Sequence, residues 1–465
     1  MAYFFISAAH KSSGKTTLSI GLTAALRKRG LATQPFKKGP DYIDPLWLSV
    51  AAGRPCLNLD FYTTPASEIR LDFQRAMKGG EIGVIEGNKG LYDGLDLDGS
   101  NSNAALASLL DAPILLVIDA RGMTRGIAPL ILGYQAFEPS IRIAGVILNK
   151  VGGERHEHKL RQVIEHYTDI PVVGAVHYDE ALEIDERHLG LMPSNEVVEA
   201  RGKIDLLAAA IERQVDLERV LRIATDTPVI PDVETGVPPI LVPGHSLRIG
   251  YPRDRAFGFY YPGDLEKMRS AGAELVPFDT IEDAALPRVD GLFIGGGFPE
   301  TAMEALEANT SMRMEIRDFV ERGGPVYAEC GGLMYLSRSL TWKGKTCKMV
   351  GVIPGDTVMY PKPKGRGYVR LVETGASPWP RGRSFGKEIT GHEFHYSALE
   401  DLDWEMTYAY KVKRGAGIDG THDGIVYKNL LASYAHLRDV GDNDWTRRFV
   451  RHVIRCKSDD VQGEN

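Results

Sequence analysis

The sequence predicts an α/β protein of two domains, and three observations carry that prediction. Short β-rich apolar runs alternate with helical stretches through residues 1–225, residues 228–246 hold five prolines, and a second alternating series begins at 248. Such alternation is the pattern of a doubly wound, mostly parallel sheet, whereas clustered prolines resist helix and central strand and mark a connection. At 465 residues the chain is also too long for one ordinary core, since domains run to about 150 residues. The domains are placed at 1–227 and 247–456, joined by a linker over 228–246. The polar run KSDDVQGEN at 457–465 is expected to be a disordered tail.

In the first domain the strand candidates are YFFISA at 3–8, IGVI at 82–85, ILLVID at 114–119, AGVILN at 144–149 and VVGAV at 172–176. In the second they are RIGYP at 248–252, AELVPF at 273–278, DGLFIGGG at 290–297 and PVYAEC at 325–330. No apolar run approaches the roughly 20 residues of a membrane span, and no basic region or cleavage-type sequence opens the chain, so a cytoplasmic protein is expected. A net charge of −7 gives no pull toward nucleic acid or anionic lipid. A small-molecule substrate is the better expectation. Cys56, Cys330, Cys347 and Cys456 are widely spaced without a CxxC, which argues against a disulfide framework or a closed zinc site.

The first strand runs into AAHKSSGKTT at 8–17, followed by Leu18, Leu22 and Leu26 at helical spacing. Strand, glycine-containing loop and helix in that order form a phosphate-binding loop, although Ala9 replaces its usual first glycine. Its backbone N–H groups at Ser13 and Gly14, with Lys15, Thr16 and Thr17, are the candidates for holding ATP phosphates, and the Thr16 hydroxyl for holding Mg²⁺. In IGVIEGNKGLYDG at 82–94 a buried strand ends at Glu86, which offers a second Mg²⁺ contact or is an acidic strand terminus without a metal. GVILNKV at 145–151 resembles an Asn-Lys element that contacts a nucleotide base, and makes Asn149 a candidate.

In the second domain, GGPVYAECGGLMYL at 323–336 sets Cys330 between an apolar strand and an apolar helix, with Gly331 and Gly332 next. This predicts a nucleophile elbow, where small neighbours permit a tight turn and a helix N-terminus favours a thiolate. LASYAHLR at 431–438 ends a strand-like run with His436, a base suited to the thiol. In DGLFIGGGFPE at 290–300, Gly296 and Gly297 either supply N–H groups to an oxyanion hole or form a simple glycine turn.

These segments resemble the cobyrinic acid a,c-diamide synthase family, which joins a dethiobiotin-synthetase-like ATP domain to a class I glutamine amidotransferase domain. The resemblance rests on SSGKTT at 12–17, KKGPDYIDP at 37–45, EGNKGLYDG at 86–94, RDRAFGFYYP at 253–262, GGGFPE at 295–300, AECGGLMYL at 328–336 and ASYAHL at 432–437, spread over nearly the whole chain. It implies that ATP activates a tetrapyrrole carboxylate as an acyl-phosphate and that ammonia from L-glutamine displaces the phosphate. It further implies that Asp41 and Asp44 help to bind Mg²⁺ and orient the substrate carboxylate, that Tyr42 also meets the substrate, and that Asp93 acts near the acyl-phosphate. From the residues alone, the acids after Gly39-Pro40 serve either role or cap a helix. A homodimer is compatible with the sequence.

Two departures stand out. Many class I amidotransferases carry a Glu two residues after the histidine, but that position is Arg438, which leaves the third member of the catalytic group unassigned. The segment 91–107 is also richer in Asp and Asn than the family pattern, so sirohaem or a metal-sirohydrochlorin is an alternative acceptor. A cobyric acid synthase should be longer. An ATP-switch protein should have lysine where His10 stands and has no use for Cys330 and His436.

Overall fold

A computed structural model describes residues 1–187, 190–195, 200–228, 247–402 and 405–463. The chain divides into two compact units, Met1–Thr235 and Gly236–Asn465. Of the expected linker, residues 229–246 lie outside the described residues.

In the first unit the order is β1 (Ala2–Ala8), α1 (Lys15–Lys28), β2 (Thr33–Lys38), α2 (Ile43–Ala52), β3 (Leu57–Leu59), α3 (Ala66–Met77) and β4 (Ile82–Glu86). There follow α4 (Asn103–Leu110), β5 (Ile114–Asp119), α5 (Ile127–Phe137), β6 (Ile143–Val151), α6 (Glu154–Tyr167) and β7 (Val172–His177). A short hairpin of β8 (Glu186–Arg187) and β9 (Gly190–Leu191), then α7 (Ala200–Gln214) and α8 (Leu217–Thr225), complete it. The seven long strands pair in the order β3-β2-β4-β1-β5-β6-β7, all in parallel. Helices cover both faces, so β1 and β5 read as continuous apolar runs instead of alternating ones. Because every strand points the same way, the C-terminal ends of β1, β2, β4 and β6 share one edge. The chain reverses its winding beside β1 there, which is where ligands bind in such sheets.

The second unit runs β10 (Leu247–Pro252), β11 (Phe257–Phe259), α9 (Pro262–Ser270), β12 (Ala273–Phe278), β13 (Gly291–Ile294), β14 (Gly296–Gly297), α10 (Met303–Ala308) and α11 (Thr310–Glu321). Next come β15 (Val326–Glu329), α12 (Gly331–Leu336), β16 (Ser337–Trp342), β17 (Lys345–Lys348), β18 (Ile353–Met359), β19 (Gly365–Glu373), β20 (Glu388–His395) and β21 (Ser397–Glu400). The unit ends with β22 (Thr407–Arg414), β23 (His422–Tyr427), β24 (Leu430–Ser433), β25 (His436–Leu437) and α13 (Trp445–Gly463). Ten strands form one sheet, β12-β10-β13-β15-β24-β23-β22-β19-β20-β25, parallel as far as β24 and antiparallel beyond it. Two apolar cores pack against it, one holding Ile294, Ala328 and Leu333, the other Phe293, Tyr327 and Trp445.

The strand pairing has one consequence for the site. The chain leaves β24 at Ser433 and enters β25 at His436, so the last strand of the pairing order is tied by two residues to the middle of the sheet. Leu437 N–H accordingly donates to Glu329 Oε1 across 3.0 Å, and the sheet curls back onto the end of β15.

The polar run that begins at 457 continues α13, which reaches Gly463; residues 464 and 465 lie outside the described residues. No helix breaker interrupts it before that glycine, and its first turn is tied down where Lys457 Nζ pairs with Asp290 at 3.0 Å. Among the described residues no helix is long and apolar enough to cross a membrane.

Candidate active sites

In the first unit, β1 ends at Ala8 and α1 begins at Lys15, so the loop between them delivers its backbone to the helix N-terminus. Ser12 and Gly14 take φ of 64° and 86°, the left-handed turns that aim successive N–H groups inward. A side chain at Gly14 would lie 2.1 Å from Asn149 Nδ2, and that amide donates to Ser13 O at 2.9 Å. Asn149, at the end of β6, therefore braces the loop from behind. Lys15 is buried, and burial first, then neighbouring Lys37, lower its ammonium to about 8. Thr17 follows on α1.

The acids gather around Thr16. Its hydroxyl donates to Glu86 Oε1 at 2.7 Å and to Asp44 Oδ2 at 3.2 Å. Lys37, on β2, puts its ammonium into the same cluster, 2.7 Å from Glu86 Oε1, in direct contact with Asp44 and 3.8 Å from Asp41. Burial raises Glu86 above the usual carboxylate range, whereas Asp44, which burial would also raise, is held below it by Lys37. Lys37 itself is pushed well up, its acidic partners overcoming the effect of burial. Asp41 engages the backbone at the start of α2. Its Oδ1 accepts from Ile43 and Asp44 N–H at 2.9 and 3.3 Å, which caps α2, and burial followed by Asp44 raises it to about 7. The two acids that meet the Thr16 hydroxyl are thus Glu86 and Asp44, while Asp41 reaches the same cluster through Lys37. Tyr42 is buried at the start of α2.

Mg²⁺ takes oxygen ligands, commonly one or two carboxylates with the remainder from phosphate and water. Among the described residues no three His, Cys, Asp or Glu groups form a ready-made metal cage. The Thr16 hydroxyl and Glu86 do fit a nucleotide-borne Mg²⁺, because Glu86 Oε2 is buried without a hydrogen-bond partner.

The loop after β4 is held by Asn103 at the start of α4. Its Nδ2 donates to Asn88 O at 2.6 Å, Gly90 O at 2.9 Å and Ser7 Oγ at 3.1 Å, while its Oδ1 accepts from Asn88 N–H at 3.1 Å. Asp93 is exposed and accepts from Gly90 N–H at 3.0 Å, so it shapes the loop while keeping one edge toward solvent. Lys38 reaches Asn101 Oδ1 at 3.3 Å and is lowered to about 8 by burial.

In the second unit, Cys330 stands between β15 and α12 with φ 47° and ψ −101°. That backbone is strained for a residue with a side chain, and it turns the thiol out of the strand direction. Side chains at Gly331 and Gly332 would come within 2.9 Å of Gly297 N and 2.2 Å of Ile294 O, so the turn closes only with glycines. His436 is buried; a side chain at Gly296 would lie 2.7 Å from its Cε1. Cys330, His436, Gly296 and Gly297 are therefore brought together. One edge of the His436 ring hydrogen-bonds Cys330. Burial opposes its protonation, but hydrogen bonds to Cys330 and Glu329 raise it to about 10.

Sequence reasoning left the third member of this group open, and Arg438 does lie elsewhere, over the Tyr261 ring at 4.7 Å. The side chain against His436 is Glu329, the residue before the cysteine, with Oε2 at 3.2 Å from Nδ1. A charged residue closing the apolar run PVYA is the signal that marks it. Lys37 and Asn103 were likewise passed over, one a second lysine in a buried strand, the other an amide inside an Ala-rich helix start. Asp423, buried, accepts from Tyr434 and Ala435 N–H at 3.0 and 2.9 Å and so shapes the turn that presents His436.

Residues 5–191 match the CobQ/CobB/MinD/ParA nucleotide binding domain, and residues 248–443 match the CobB/CobQ-like glutamine amidotransferase domain. The chain is 48% identical over 453 residues to a cobyrinate a,c-diamide synthase of Magnetococcus marinus, with 96% of each chain covered. It is 41% identical over 463 residues to one of Methanosarcina acetivorans, covering 94% of this chain and 92% of that one. To one of Archaeoglobus fulgidus it is 40% identical over 445 residues, with 96% of each covered.

Proposed function

The chain belongs to the cobyrinate a,c-diamide synthase family, and from that premise we propose that it amidates two acetate carboxylates of cobyrinate, using ATP and L-glutamine. The observation that carries this reading is the presence in one chain of a phosphate-binding loop ringed by acids and a strained cysteine with a histidine beside it. The first unit activates the acceptor. The second releases the ammonia.

In the thiol site, His436 takes the Cys330 proton and the sulfur attacks the carboxamide carbon of glutamine. The tetrahedral oxyanion is met by backbone N–H groups at Gly296 and Gly297. His436 then returns the proton to nitrogen, ammonia leaves, and water hydrolyses the glutamyl thioester to glutamate and free thiol.

In the phosphate site, the loop N–H groups and Lys15 hold the phosphates of ATP while Asn149 fixes the loop. Thr16 and Glu86 would hold Mg²⁺, which when bound neutralises phosphate charge during phosphoryl transfer. On this reading Lys37 attracts the acceptor carboxylate, and Asp44, in contact with that ammonium, orients it. An oxygen of the acceptor attacks the terminal phosphorus, ADP departs, and ammonia then displaces phosphate from the acyl carbon. Two turnovers give a diamide.

Mass spectrometry after incubation with ATP, Mg²⁺ and glutamine tests this, since each amidation exchanges a hydroxyl for an amino group. Cobyrinate should gain two amides, with sirohydrochlorin as the comparison acceptor. Unchanged cobyrinate beside amidated sirohydrochlorin would move the assignment to the other acceptor.

A further inference from the structure

Glu329 is 2% exposed and lies at the end of β15, between the two cores of the second unit. Burying a carboxylate in such a place costs several kcal/mol unless its charge is used. Three donors converge on it: Tyr327 Oη at 2.6 Å and Leu437 N–H at 3.0 Å on Oε1, and the His436 Nδ1 edge at 3.2 Å on Oε2. All three bonds are stronger to a carboxylate than to a neutral amide oxygen, but only the imidazole can itself become a cation, so it gains most from the negative charge at the moment it becomes imidazolium.

The ring has little freedom apart from this contact. His392, paired opposite His436 in the neighbouring strand, stacks on it at 4.9 Å with 17° between planes. Burial first, and then His436 and Arg438, push His392 well below its ordinary range, so it faces His436 uncharged. Gly296 closes on the Cε1 edge. The groups that face the ring with charge or titratable protons are thus Cys330 and Glu329 from the β15 turn and His392 from β20, while Arg438 lies over the Tyr261 ring and acts on His392.

We propose that Glu329 is the positioning residue of the thiol site, fixing the His436 proton on Nδ1 so that Nε2 is free to take the proton of Cys330. This rests on the glutaminase reading above. A carboxylate adjacent in sequence to the nucleophile thereby does the work that an acid two residues beyond the histidine would do, at a position where this chain has Arg438. The curl of the sheet makes that possible, because it lays β25 over the end of β15.

Glutamine hydrolysis by E329Q should show kcat lowered about 10²-fold, the order of a general acid–base contribution, with KM for glutamine nearly unchanged. Its pH profile should move, because the imidazolium no longer has a carboxylate behind it. A merely structural Glu329 would alter neither the profile nor the balance of kcat against KM. A second measurement avoids the fate of that variant: in folded C330A, with Glu329 intact, nitrogen NMR should place the neutral His436 proton on Nδ1. A proton on Nε2, or an E329Q enzyme with wild-type kcat and pH profile, overturns the proposal. Failure of the glutaminase reading looks different, because C330A itself would then still hydrolyse glutamine.

Discussion

The two sites solve opposite problems. Around the phosphate loop, cations and acids are interleaved: Lys37 sits among Asp41, Asp44 and Glu86, and Thr16 bridges two of those acids. Nucleotide phosphates and Mg²⁺ are therefore met by groups that already hold partners of both signs. Around Cys330 the arrangement is fixed in the backbone instead. A positive φ, two glycines without room for a side chain, and a histidine held by a buried carboxylate leave little to rearrange. A site for multiply charged ligands is balanced by exchangeable charge, whereas a site for covalent chemistry is built by geometry.

Breaking the charge side should give the largest effect. Lys15→Ala should lower amide formation by about 10³-fold or more, whether glutamine or ammonium is the nitrogen source, because preorganised charge at the phosphates carries the transfer. Glutamine hydrolysis should persist, slowly, in the same preparation. Undiminished synthesis would remove the phosphate loop from the mechanism.

A smaller change separates acceptor from nucleotide. Asp44→Asn keeps the shape but loses the charge that holds Lys37, and amidation should fall roughly 10²-fold, far more than the affinity for ATP measured by calorimetry. Equal losses would place Asp44 with the nucleotide. The geometric side is probed more gently by Gly332→Ala. Its new methyl would meet Ile294 O at 2.2 Å, so the second unit should lose about 2 kcal/mol in denaturant unfolding. An unchanged midpoint would show that the turn tolerates a side chain.

Much of this was readable from local pattern. Apolar runs of four to six residues marked β1, β4, β5 and β6 because strands buried on both faces need no alternation. Thr16 and Glu86 come together, since a loop at the end of β1 and an acid at the end of β4 share one sheet edge. Cys330 and His436 likewise meet. Less readable was anything decided by a turn within one helix or by closure of the sheet. Asp41 and Asp44 are three residues apart, and only the backbone at the start of α2 determines that Asp41 caps while Asp44 reaches Thr16. Glu329 could be found only once β25 was seen to return to β15, which no local periodicity encodes. Polar composition alone does not mark 457–463 as the end of α13, although the segment contains no helix breaker before Gly463.

The division of labour is tested most directly by amide formation in Cys330→Ala, measured with glutamine and then with concentrated ammonium at a pH that supplies free ammonia. Removing the sulfur abolishes the release of ammonia and leaves Thr16, Glu86 and Lys15 intact. The account predicts no synthesis with glutamine and near wild-type synthesis with ammonium. Full activity with glutamine, or none with ammonium in a folded protein, would contradict it.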